Sequence, residues 1–76
     1  MNALPPATEA LISHLRGLNF VESTGEACAV YRQFKLWGPN PHTPSARVAI
    51  LEGHITFTDY DDRGAVTRTD HAEVSA

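Results

Sequence analysis

The sequence predicts an α+β domain in which one N-terminal helix packs on an antiparallel β-meander of three to four strands. Three observations predict it: apolar residues at helical spacing near the start, alternation from residue 27 to residue 37, and two β-rich runs joined by Glu52-Gly53. The first period is that of one face of a helix, and the second that of a half-buried strand.

Pro5 and Pro6 suit the first turn of a helix, where a missing amide proton costs little, and Glu9 lies near the positive end of the helix dipole. Leu11, Ile12, Leu15 and Leu18 form one apolar stripe. Gly17 fits a left-handed position just past the helix end, with Leu18 folding back on the last turn. The expected helix covers residues 5–17.

Asn19 to Glu22 is a possible short strand, closed by the turn-like run from Ser23 to Glu26. From residue 27 to residue 37, Cys28, Val30, Phe34 and Leu36 share one face, and Tyr31, Gln33, Lys35 and Trp37 the other. Arg32 interrupts the first face, which predicts an edge position, a bulge or a paired charge. Prolines 39, 41 and 44 then end the strand, since proline cannot donate to a ladder. Residues 38–45 are expected to form an extended connection of polyproline character.

The hairpin at Glu52-Gly53 fixes a register. Ile50 faces Ile55 and Val48 faces Phe57, so four large apolar side chains fall on one side. Ala49, Leu51, His54, Thr56 and Thr58 fall on the other, which is polar enough to meet water. The run from Tyr60 to Gly64 predicts a second turn, Ala65 to Asp70 its return strand, and a fraying tail from His71 onward.

A length of 76 residues supports one domain, residues 1–76. A single core of this size supplies only about 3–5 kcal/mol, so a homodimer is a reasonable expectation. The net charge of −3 lies entirely in the second half, where Glu52, Asp59, Asp61, Asp62, Asp70 and Glu73 face only Arg47, Arg63 and Arg68. That balance argues against non-specific nucleic-acid binding, which depends on bases displacing phosphate counterions. There is no apolar run of membrane-spanning length. One cysteine, Cys28, permits no internal disulfide, and a reducing, cytoplasmic setting is expected.

No spacing for a metal, a phosphate loop or a nucleophile and base stands out. His14, His42, His54 and His71 are scattered, although His54 and His71 would approach if the last strand pairs back. The turn carboxylates Asp59, Asp61 and Asp62 are accounted for by backbone hydrogen bonding. The chain is therefore expected to be non-catalytic, with no cofactor and no metal.

If the helix covers the Phe34 face, Tyr31 and Trp37 point outward on a rigid strand with Lys35 between them. Exposed aromatics on a rigid element are typical of protein interfaces. If it covers the other face, they lie beneath it and Arg32 meets solvent. The expected contact residues are Tyr31, Lys35 and Trp37, or the acidic hairpin of Asp59, Asp61 and Asp62, which would mimic phosphates toward a basic partner.

The stretch from Tyr60 to Arg68 is similar to one Tyr-Asp repeat hairpin of large shell-forming proteins, over nine unrepeated residues, and no function is carried from it. In kind, a small domain without an evident active site resembles the inhibitors encoded by phages and mobile elements, anti-CRISPR proteins among them. The leading expectation is a protein-binding module that occludes a partner's surface. The alternatives are a homodimeric structural or assembly subunit and a single-stranded nucleic-acid-binding protein.

Overall fold

The computed structural model describes residues 6–23 and 31–73. Helix α1 (Pro6–Gly17) is followed by strands β1 (Val21–Glu22), β2 (Tyr31–Leu36), β3 (Ala46–Leu51), β4 (His54–Tyr60) and β5 (Val66–Glu73). The strands form one antiparallel sheet in sequence order, an uninterrupted meander. Among the described residues the architecture is α+β with five strands, and the two-residue β1 is the possible short strand at Asn19 to Glu22.

The helix buries Thr8, Ile12 and Leu15, which lie at i, i+4 and i+7. Against them the sheet presents Phe34, fully buried, with Val48, Ile50 and Ile55, while Leu11, Phe20 and Phe57 close the margins. Burial of each large side chain in this cluster contributes about 1.5–3 kcal/mol. The helix therefore covers the even-numbered face of β2.

The end of α1 corrects one expectation. Gly17 remains helical, and the left-handed residue is Asn19, at φ 72°. The Phe20 amide donates to the Leu15 carbonyl at 3.0 Å and the Asn19 amide to that of Arg16 at 3.1 Å. This is a Schellman closure with asparagine in the αL position. It swings Leu18 outward, half exposed rather than folded back, and delivers Phe20 to the core in its place.

The β3–β4 register is the expected one, with Val48 opposite Phe57 and Ile50 opposite Ile55. Glu52 at φ 50° and Gly53 at φ 83° form the reversal, both central residues left-handed as in a type I′ turn. The β2 strand is described from Tyr31 only; the expected positions of Cys28 and Val30 lie outside the described residues. Arg32 does sit on the covered face, and there it is a paired charge: its guanidinium meets the Glu22 carboxylate from β1, Nη2 donating to Oε1 at 2.7 Å.

Two further expectations change. Residues 38–45 are not a plain extended spacer, because the His42 amide donates to Asn40 Oδ1 at 2.8 Å and Asn40 Nδ2 donates to the Asp62 carbonyl at 2.9 Å. An Asx turn thus folds the loop onto the β4–β5 turn. The chain after Asp70 does not fray at His71: β5 continues to Glu73, with His71 opposite Thr56 and Glu73 opposite His54. The added ladder bonds to β4 hold it.

Candidate functional site

Because α1 lies on one face, the opposite face of the sheet carries no described element. Alternation and register place Tyr31, Leu51 and His54 in one row across it, and Val21, Lys35, Arg47 and Thr58 in another. Trp37, Leu51 and Val21 are exposed to 48%, 49% and 59%, fractions that leave a broken apolar patch in water.

Tyr31, Lys35 and Trp37 therefore share this open face. Tyr31 donates its hydroxyl to Gln33 Oε1 at 3.0 Å, which fixes the ring along the strand. Lys35 Nζ lies 5.9 Å from the centroid of the Trp37 ring, a cation–π contact that limits the swing of both side chains.

Arg47 is the residue that sequence reasoning missed. It stands directly opposite Lys35 on the neighbouring strand, and like charges in that position repel. No ion pair to a described residue relieves either cation. The one described acid on this face, Glu73 at the far edge, is engaged by His54. A chain with net charge −3 thus presents two adjacent cations beside an exposed indole. The signal was available: Arg47 precedes the inward Val48, so the Glu52-Gly53 register turns it outward.

The acidic hairpin is divided. Asp59 alternates with Phe57 onto the helix side, opposite Arg68. Asp61 closes its own turn, Oδ1 accepting from the Arg63 amide at 2.8 Å and the Ala65 amide at 2.9 Å. Asp62 is exposed, its carbonyl taken by Asn40. These three carboxylates do not form one surface with Tyr31, Lys35 and Trp37.

The meander also joins two of the scattered histidines. His54 Nε2 and His71 Nδ1 lie 3.2 Å apart with the rings stacked at a centroid distance of 5.3 Å. The outer nitrogen of His54, Nδ1, contacts the Glu73 carboxylate. Among the described residues no group of three or more His, Cys, Asp or Glu side chains converges for a metal ion. Among the described residues no helix is long and apolar enough to cross a membrane.

Comparison with protein-family models, with curated proteins and with solved structures finds no match for this chain.

Proposed function

We propose that this chain is a non-catalytic protein-binding module that uses the open face of its sheet to occlude a surface on its partner. The observation that carries the reading is the grouping of half-exposed Trp37 with Lys35 and Arg47 on a face that α1 leaves bare. An aromatic anchor just past the end of a paired strand, beside basic side chains, matches the composition of interface hot spots. The cations fit a partner whose surface is acidic. An inhibitor of the kind that phages and mobile elements encode is the finer form of this proposal.

The test is parallel affinity capture from a host lysate with the wild-type chain, Trp37→Ala and Asp62→Ala as baits, each verified as folded by circular dichroism. A protein retained by wild type and Asp62→Ala but lost with Trp37→Ala supports the open face. Equal retention by all three baits retires it.

A second reading, a homodimeric assembly subunit, is favoured by β5. This eight-residue edge strand is exposed along its whole length, and an unpaired edge is a template for a second copy. Sedimentation over a range of concentrations separates the two: a concentration-independent monomer removes the dimer.

A further inference from the structure

We propose that His54 and His71 form a two-imidazole binding site for a divalent transition ion, with zinc, nickel or copper as the chemistry they suit. Imidazole nitrogen is a preferred donor for these ions. The antiparallel register creates the site. His54 lies opposite Glu73 and His71 opposite Thr56, so the two rings are diagonal neighbours on the open face of adjacent strands.

Their separation is the one a shared ion requires. The two facing nitrogens are 3.2 Å apart, and donors about 2.0–2.1 Å from a common ion at that spacing subtend roughly 100°, near the tetrahedral angle. The rings stand on two hydrogen-bonded strands, so the backbone register brings them within reach of each other.

Glu73 supplies the outer contact. Its carboxylate contacts His54 Nδ1, and in the tautomer that carries its proton on Nδ1 the lone pair is on Nε2, the nitrogen that faces His71. A carboxylate behind a ligating histidine fixes the tautomer and raises the basicity of the donor nitrogen. Without an ion, His71 Nδ1–H donates to that lone pair; with one, the proton resides on His71 Nε2 and both facing nitrogens ligate. Thr56 Oγ1, 3.5 Å from His71 Nδ1, borders the same spot. His54 is 46% exposed, so an ion enters from solvent and water fills its remaining positions.

Titration of the full chain at neutral pH with zinc chloride and with nickel chloride, followed by calorimetry, tests this. One ion per chain is expected. His54→Ala and His71→Ala each abolish saturable binding, since each removes one of two protein donors, and Glu73→Gln weakens it by about 10-fold or more. His14→Ala and His42→Ala bind as wild type does. In proton NMR the ring signals of His54 and His71 move on zinc addition and those of His14 and His42 do not. Absence of saturable binding in the wild type, or retention of full affinity by folded His71→Ala, overturns the site.

Discussion

Arg32 is clamped to Glu22 across the β1–β2 ladder, and Arg16 near the end of α1 reaches the same carboxylate at 3.5 Å. One acid therefore ties the helix to the edge of the sheet. Hydrogen bonding from Arg32 holds the Glu22 carboxyl below its ordinary value of 4.5, against the opposing effect of desolvation, and the charges of Arg32 and Arg16 add to the depression.

The pair makes stability depend on pH. Because the folded-state value lies below the unfolded one, the pair's stabilisation is complete above the ordinary carboxylate range and is lost as pH falls through the depressed value. Glu22→Gln should lower the unfolding free energy at pH 7 by about 1.5–3 kcal/mol, as for a hydrogen bond to a charged group. The gap to wild type should narrow below pH 4.5. Urea unfolding at several pH values measures both; a gap independent of pH removes the linkage.

The two faces of the sheet should respond oppositely to truncation. Phe34 is fully buried, whereas Trp37 is 48% exposed. Phe34→Ala should cost about 3–5 kcal/mol, enough to unfold a chain of this size at room temperature. Trp37→Ala should leave the fold in place and shift the urea midpoint little. A folded Phe34→Ala with an unfolded Trp37→Ala would mean that the helix lies on the other face.

The contrast between these faces bears on what the sequence makes legible. The pairing of Val48 with Phe57 follows from the chain alone, because Glu52-Gly53 is local and a slip of one residue would expose an apolar row. Which face of β2 the helix covers does not follow, since Tyr31 and Trp37 are large aromatic side chains that a core also accepts, as it accepts Phe34 and Leu36. The position of Asn19 was hidden for a different reason: Gly17 is the better αL former by propensity, and burial of Phe20 outweighs that preference. The approach of His54 to His71 was legible only on the condition that the last strand pairs back, and that of Asn40 to Asp62 leaves no spacing in the sequence. The charge of the open face was obscured because it opposes that of the whole chain.

The β3–β4 turn should be improvable at one residue and intolerant at the next. Glu52 holds a left-handed φ of 50° that an L side chain adopts at a cost, and Gly53 sits at 83°. Glu52→Asn should stabilise, since Asn-Gly is the favoured type I′ pair. Gly53→Ala should destabilise by roughly 1–2 kcal/mol, the cost of a Cβ in the left-handed region. Thermal unfolding of the two variants should move in opposite directions; shifts of the same sign would exclude the turn type.

Lys35 and Arg47 should separate binding from stability. Since they repel across the ladder, Arg47→Thr should leave stability unchanged or raise it by a few tenths of a kcal/mol, roughly the size of a cross-strand pair term. The same change should weaken capture of an acidic partner and flatten the salt dependence of that binding. Partner affinity measured at low and high ionic strength checks this, and an unaltered salt dependence in the variant excludes Arg47 from the contact.

Gly64 should test the contact between the two loops at one end of the sheet. It holds φ +87°, and a Cβ added there would lie 3.0 Å from Thr43 Oγ1 in the 38–45 loop. Gly64→Ala should therefore carry two penalties, the left-handed conformation at about 1–2 kcal/mol and the crowding of Thr43. Adding Thr43→Ala should recover the second and leave the first, so the double variant falls between Gly64→Ala and wild type in urea midpoint. If Thr43→Ala recovers nothing in the Gly64→Ala background, the loop does not pack on the turn. Asn40→Ala then supplies an independent measure, because it deletes the bond from Nδ2 to the Asp62 carbonyl without touching either of the crowded residues.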